Sequence, residues 1–291
     1  MIRPPEQPPE IREWVMSDGA RLRGRTWPAA KPGRTPILYF HGIQSHGGWY
    51  EWSAARLARV SGAAVVMVDR RGSGMNRDAR GDVPDGGRWL ADVSELADAL
   101  SVDAAGAVNA ARVRLAGVSW GGKLAAAWAL ANPGRVEALL LLAPGIFPRV
   151  DVSFARKIEI GVSLVSNPTR AFEIPLSDPA LFTSNAAAQS AIAADPLKLT
   201  HATARFLYHS ARMDRMCARA RAGALHVPTT LLLAERDRII RNRETRQWAE
   251  RVCAGGLRLR ELAGAEHTLE FEEPTAEFEA ELDRWAAGGG D

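Results

Sequence analysis

Cysteine is almost missing from this sequence: Cys217 and Cys253 are the only two in 291 residues. Two are too few for a disulfide framework, and neither stands in a C-x-x-C or beside a metal-spaced histidine, so free thiols and no metal site are expected. Lysine is scarce as well, with Lys31, Lys123, Lys157 and Lys198 the only four among 37 cationic residues. The net charge of +3 therefore comes from scattered arginines. A nucleic-acid surface needs such residues gathered on one face, and the densest group, Arg212, Arg215, Arg219 and Arg221, has the spacing of the wet side of one helix, so no nucleic-acid partner is expected. No apolar run approaches the ~20 residues of a membrane-spanning helix, which argues against stable membrane insertion. The opening MIRPPEQPPEIREW has no apolar stretch after Arg3, so it does not read as a secretory signal, and the expected location is the cytoplasm.

What is present is core material. A hydrophobic content of 46% with 24% charged residues fits a folded chain and argues against disorder, and the length suits one large domain or one domain with an insertion. EWVMSDGARLRGRTW reads as a hairpin turning at Asp18 and Gly19. Then come short, nearly continuous apolar runs at 36–41, 63–69, 112–118, 136–144 and 228–235, with LRLREL at 257–262, the pattern of parallel strands buried on both faces. Between them WYEWSAARLARVSG, RWLADVSELADALSVDAAG and GKLAAAWALANPG read as crossover helices. The fold class is therefore α/β, with a mostly parallel central sheet flanked by helices. From about 146 to 210 the alternation stops, in a stretch too long for an ordinary loop, and an inserted helical cap is expected there. The expected division is a tail over 1–10, a core over 11–145 and 211–291, and a cap over 146–210. TAEFEAELDRWAAGGG reads as a final amphipathic helix.

The chemistry centres on LAGVSWGGKL. Gly117-Val118-Ser119-Trp120-Gly121 follows a buried strand and precedes an alanine-rich helix, the strand–turn–helix setting that lifts a serine above the sheet edge. A serine hydroxyl needs a base, and the base needs an acid to fix its tautomer. In this topology the chain order is Ser, acid, His. Asp237 stands just past the strand TLLLAE, with Glu235 as a rival within or at the end of that strand. His267 is the one histidine beyond Asp237, whereas His201, His209 and His226 have no partner motif. The oxyanion of acyl transfer wants two backbone N–H donors. Trp120, after the nucleophile, supplies one, and Ile43, in His41-Gly42-Ile43-Gln44, supplies the other. His41 reads as a brace of that loop and His46 as a pocket-rim residue or polar decoration. His41, Gly42, His46 and Trp49 are the candidates for the substrate pocket.

Rival readings are weaker. Gly117 to Lys123 matches G-x-x-x-x-G-K, but Leu124 stands where a phosphate-cradling loop carries a Mg²⁺-binding Ser or Thr. A non-hydrolytic binder has no need for Ser119, Asp237 and His267 in order, and an acyltransferase shares every one of them. A peptidase needs cap carboxylates for the substrate amine, yet Asp178 and Asp195 each precede proline and read as turn residues.

The sequence resembles the α/β-hydrolase superfamily, and within it the monoacylglycerol lipase and lysophospholipase branch grouped with the serine aminopeptidase S33 type. The likeness rests on H-G-I-Q-S-H-G-G-W-Y at 41–50, D-R-R-G-S-G at 69–74, G-V-S-W-G-G at 117–122, D-P-A-L-F-T at 178–183, A-A-D-P-L at 193–197, E-R-D at 235–237 and E-H-T at 266–268, and runs from about 10 to 286. It implies a cofactor-free serine hydrolase whose cap covers an acyl pocket and whose substrates are monoacylglycerols, lysolipids or smaller carboxylic esters. The chain departs from the family at Gln44-Ser45, where glycine and glutamate are common, and at Trp120, where a smaller residue is usual. Trp120 would narrow the acyl site or give it an aromatic wall. In the cap, Phe154, Ile158, Val162 and Val165 form a stripe that packs on the core or faces lipid in transient surface contact; the more common outcome of such spacing is packing.

Overall fold

The computed structural model describes residues 3–103, 112–272 and 276–288. The chain opens with a hairpin of β1 (Glu10–Val15) and β2 (Arg21–Trp27), whose turn is closed by Gly19 at φ 82°. It continues through β3 (Ile37–Phe40), α1 (Glu51–Ser61), β4 (Val65–Val68), α2 (Gly86–Asp103), β5 (Val113–Val118), α3 (Trp120–Ala131) and β6 (Val136–Leu142). The expected extension of α2 beyond Asp103 lies outside the described residues.

After β6 the chain leaves the sheet for α4 (Phe154–Ser166), β7 (Ala171–Glu173), α5 (Ala186–Ala194), β8 (His201–Thr203) and α6 (Ala204–Ala218). It returns through β9 (Thr229–Ala234), α7 (Asn242–Val252), β10 (Leu257–Leu262) and α8 (Ala276–Ala287).

Eight strands form one sheet in the order β1-β2-β4-β3-β5-β6-β9-β10. From β4 to β10 every pairing is parallel, and β2 is antiparallel to both its neighbours. The residues of β3, β4, β5 and β9 are all buried, as nearly continuous apolar runs require of strands covered on both faces, with Arg114, Thr229 and Thr230 the polar exceptions. Helices cover the sheet in two groups: α1 packs against α8, while α2 and α3 pack on each other and on α6. Because β3, β5, β9 and β10 run parallel, the loops that follow them leave from one edge.

The excursion between β6 and β9 differs from its expected form in two ways. It holds a small antiparallel ribbon, β7 against β8, of three residues each, too short to leave a period in the sequence. In addition, α6 begins at Ala204, where the hydroxyl of Thr203 caps the Phe206 N–H. It ends at Ala218, so Arg219 and Arg221 lie past its last turn, and the four arginines expected on one helix face do not share a helix.

The stripe on α4 points outward. Phe154 is 79% exposed and Val165 92%, whereas the buried residues of α4 are Ile160 and Ser163. Ile160 forms a small apolar cluster with Phe172 and Ala204, so α4 uses its other face to reach the rest of the insertion. The expected packing of the stripe on the core is thus corrected.

Candidate active site

Ser119 stands between the end of β5 and the start of α3 with φ 52° and ψ −118°, a left-handed backbone that a residue with a Cβ rarely adopts. Small neighbours make the turn possible. A Cβ on Gly121 would lie 2.2 Å from the Phe40 carbonyl oxygen, and one on Gly117 would lie 2.4 Å from that of Gly121. The Ser119 N–H donates to the Leu142 carbonyl at 2.9 Å, and its own carbonyl accepts from Gly145 N–H at 2.8 Å. The strained serine is therefore held from β6 as well as from its own strand.

Asp237 and His267 meet in the interior, 4% and 1% exposed. Asp237 Oδ2 lies 2.7 Å from His267 Nδ1. Its Oδ1 accepts from the Ile239 and Ile240 N–H groups at 2.8 and 2.9 Å. Burial by itself would raise the Asp237 pKa, but the imidazole and these two amides outweigh it and hold the carboxyl below its usual range. An ionised carboxylate only accepts, so Nδ1 carries the proton, and in its neutral form the ring has its lone pair at Nε2. That Nε2 is buried and has no hydrogen-bond partner among the described residues. Glu235, the rival acid, is exposed and accepts from Gly264 N–H at 2.6 Å, away from the imidazole. The insertion supports the histidine: the Phe182 ring meets His267 edge-on at 6.2 Å, and its carbonyl accepts from Thr268 N–H.

The loop after β3 abuts the serine, since a Cβ on Gly42 would lie 3.6 Å from Ser119 Cβ. Trp120 is the first residue of α3, so its N–H belongs to the donors a helix start leaves free. Among the described residues the Ile43 N–H donates to no turn or loop carbonyl. His41 is 2% exposed and braces the loop: its Nδ1–H donates to the Gly42 carbonyl at 2.8 Å and its Nε2 accepts from Arg70 N–H at 3.0 Å. Burial, aided by the Arg70 charge, pushes its pKa well below the usual histidine range and keeps the ring neutral.

Of the four residues expected in the substrate pocket, Gly42 abuts Ser119 and His41 braces the same loop. The cavity that contains Ser119 is lined by Ile43 from this loop, but by none of His41, Gly42, His46 and Trp49. His46 and Trp49 are turned instead to Asp195 of the insertion, at 3.0 and 2.6 Å. A partly buried carboxylate needs donors, and these two supply them.

The cavity measures about 450 Å³. Ile43, Ser119 and Trp120 stand at its reactive end, and its walls come largely from the insertion, with Val150, Ile160, Leu164, Ile174 and Leu207. Trp120 forms an aromatic wall, stacked on Phe206 at 5.9 Å and met edge-on by Trp89. Beyond it lies a polar group that the sequence reading missed. Lys123 Nζ pairs with Asp214 Oδ1 at 2.5 Å and donates to Ser210 Oγ at 2.9 Å, and the Trp120 indole N–H reaches the same hydroxyl at 3.0 Å. Burial raises the Asp214 pKa against the pull of Lys123. One signal was available: a lone lysine inside WGGKLAAAWALA must find an anion. Among the described residues no group of three or more His, Cys, Asp or Glu is arranged to hold a metal. Nor, among those residues, is any helix long and apolar enough to cross a membrane.

With this geometry in view, comparison with known proteins is informative. A family model described as serine aminopeptidase, S33 matches residues 31–274. A monoacylglycerol lipase of Mycolicibacterium smegmatis is 25% identical over 266 residues, covering 88% of this chain and 89% of the relative. The crystal structure of a Paleococcus ferrophilus monoacylglycerol lipase superposes with a TM-score of 0.78 at 21% identity, over 92% of this chain and 98% of that one. A soluble variant of the Saccharomyces cerevisiae monoglyceride lipase, solved with a substrate analog, gives 0.77 at 16% identity, over 98% and 99%. These superpositions identify the sheet, with its excursion after β6, as the α/β-hydrolase fold expected from the sequence.

Proposed function

The chain belongs to the serine aminopeptidase S33 family, in the monoacylglycerol lipase branch of the α/β-hydrolases, and from that premise we propose that it hydrolyses carboxylic esters through an acyl-enzyme. Ser119 Oγ attacks the ester carbonyl while His267 Nε2 takes its proton. The Ile43 and Trp120 N–H groups stabilise the oxyanion. The tetrahedral species collapses, the leaving alcohol receives the proton from Nε2, and water repeats the two steps on the acyl-enzyme. Asp237 keeps the imidazole in the tautomer this requires. The observation that carries the reading is the buried Asp237–His267 pair, with Nε2 unbonded, on the sheet edge that also bears a strained Ser119.

The excursion between β6 and β9 acts as a cap, since its residues wall most of the cavity. A volume of about 450 Å³, apolar for most of its length and polar around Lys123 and Asp214, suits an amphiphile such as a monoacylglycerol, a lysolipid or a smaller acyl ester. The exposed stripe of Phe154, Ile158, Val162 and Val165, beside Arg156 and Lys157, supports transient contact with a lipid surface.

The test is a rate series on p-nitrophenyl and monoacylglycerol esters from short to long chains, with fluorophosphonate labelling of the nucleophile. Ser119→Ala should abolish labelling and lower turnover by several orders of magnitude, toward the ~10³–10⁴-fold over water that remains in triad knock-outs. A variant that keeps most of its ester hydrolysis overturns the proposal.

A further inference from the structure

The peptide between Gly42 and Ile43 is engaged at its carbonyl end by a buried cation. The Gly42 carbonyl accepts from Arg70 Nη1 at 2.7 Å, beside the bond from His41. Arg70 Nη2 donates to the Ile43 carbonyl. The amide at the other end of the Gly42–Ile43 peptide is the Ile43 N–H, which on the mechanism proposed above is one of the two oxyanion donors. A peptide is planar and trans, so its C=O and N–H point in opposite directions on one conjugated unit. A cation that draws charge toward the oxygen makes the N–H a stronger donor, the polarisation that strengthens chains of hydrogen bonds.

Arg70 has no anion of its own among the described residues. It is 7% exposed, and among the described residues no ion pair includes it. Its neighbour Asp69 is occupied by the N–H groups of Gly47 and Met75, at 2.7 and 2.9 Å, and by Arg25. The Arg70 guanidinium lies instead over the Trp120 ring, 4.8 Å from its centroid, and 5.5 Å from that of Phe206. Trp120 is the residue whose backbone supplies the other oxyanion donor. One buried charge thus bonds the peptide of the first donor and rests on the side chain of the second. A cation left unpaired in the interior carries a large desolvation cost, and an ordinary brace of the loop would not require the charge.

We propose that Arg70 is a positioning residue of the oxyanion site: it polarises the Gly42–Ile43 peptide and holds the Trp120 ring, so that stabilisation of negative charge in the transition state depends on its guanidinium. Arg70 touches no reacting atom. The inference rests on the proposed role of Ser119, and the experiment separates the two.

Wild type, Arg70→Lys, Arg70→Gln and Arg70→Met are compared on a soluble p-nitrophenyl ester. Inhibition is measured with a trifluoromethyl ketone, which becomes an oxyanion adduct on the serine, and with the unfluorinated ketone of equal length, which binds as a neutral carbonyl. Arg70→Gln, which keeps a neutral donor, should lower kcat by roughly tenfold, less than the ~10²–10³ of deleting a whole oxyanion donor, with KM changed by no more than about twofold. Affinity for the trifluoromethyl ketone should fall by the same factor as kcat, the plain ketone should bind as before, and Arg70→Lys should recover part of the loss. If Arg70→Met gives no folded protein, the Lys and Gln variants decide. An unchanged kcat, or equal weakening of both ketones, overturns the inference and leaves the role of Ser119 standing. Hydrolysis that survives Ser119→Ala removes the reading beneath it.

Discussion

The indole N–H of Trp49 donates to the Asp195 carboxylate at 2.6 Å, joining the loop after β3 to the insertion. His46 Nε2 reaches the same oxygen at 3.0 Å, and the Leu197 N–H caps the other at 2.8 Å. Because His46 Nδ1 accepts from Gly48 N–H, its Nε2 bears the proton and donates. Three donors on one partly buried carboxylate make a latch between the core and the segment that walls the cavity.

The latch should show itself as pH-dependent stability. Burial opposes ionisation of Asp195, but the hydrogen bonds from His46 and Trp49 outweigh it and lower its pKa from 3.8 to about 2. A folded-state pKa below the unfolded one contributes stability that is present in full above about pH 4 and is lost as pH falls toward about 2. Asp195→Ala should therefore cost roughly 1–2 kcal/mol at neutral pH, and the gap to wild type should narrow below about pH 4. Urea melts at a series of pH values measure it; a gap that is constant or widens on acidification argues against the latch.

Asp237→Asn replaces an acceptor with a group that also donates, and it no longer selects the tautomer with a lone pair at Nε2. Turnover should fall by about 10⁴, the cost of the wrong tautomer in a serine–histidine system. Glu235→Gln, whose carboxylate among the described residues bonds the Gly264 amide and no other group, should stay within a few-fold of wild type. Should Glu235→Gln be the worse lesion in kcat, the acid has been assigned to the wrong residue.

Gly121→Ala drives a methyl into backbone, 2.2 Å from the Phe40 oxygen and 2.6 Å from that of His41. Neither atom can withdraw without moving β3, so a loss of more than about 3 kcal/mol, or no folded protein, is expected. Gly134→Ala is the control. It has open space, and only its φ of +93° opposes the side chain, so it should cost about 1–2 kcal/mol. Thermal melts that rank the two alike contradict the packing described for the elbow.

The outward stripe of α4 separates lipid contact from chemistry. Ile158→Glu with Val165→Glu should leave hydrolysis of a soluble short-chain ester within about twofold, because neither residue lines the cavity. Sedimentation with monoacylglycerol-bearing vesicles should fall several-fold, as charge replaces apolar area at the interface. Unchanged partitioning would mean that the stripe is not the contact.

Much of the fold was legible in the chain because its signals are local. Strands buried on both faces need nearly continuous apolar runs, and β3, β4, β5 and β9 lie where those runs stand. The three-residue β7 and β8 were not legible, since a period cannot appear in three positions. The direction of the α4 stripe was not legible, because spacing fixes which residues share a face but not what that face meets.

The sequence by itself determined the order of strands and helices, the glycines around Ser119, and the succession Ser119, Asp237, His267, all of which are written in neighbours along the chain. Only the tertiary structure decided what each charge and aromatic ring is for. Asp195, read as a turn residue, became the anchor of Trp49 and His46; Lys123 found Asp214 on α6; and Arg70 came to rest on the Gly42 carbonyl and the Trp120 ring. The reason is physical. A buried polar group must be satisfied by whatever the fold brings within about 3 Å, and that partner is set by packing among segments far apart in sequence.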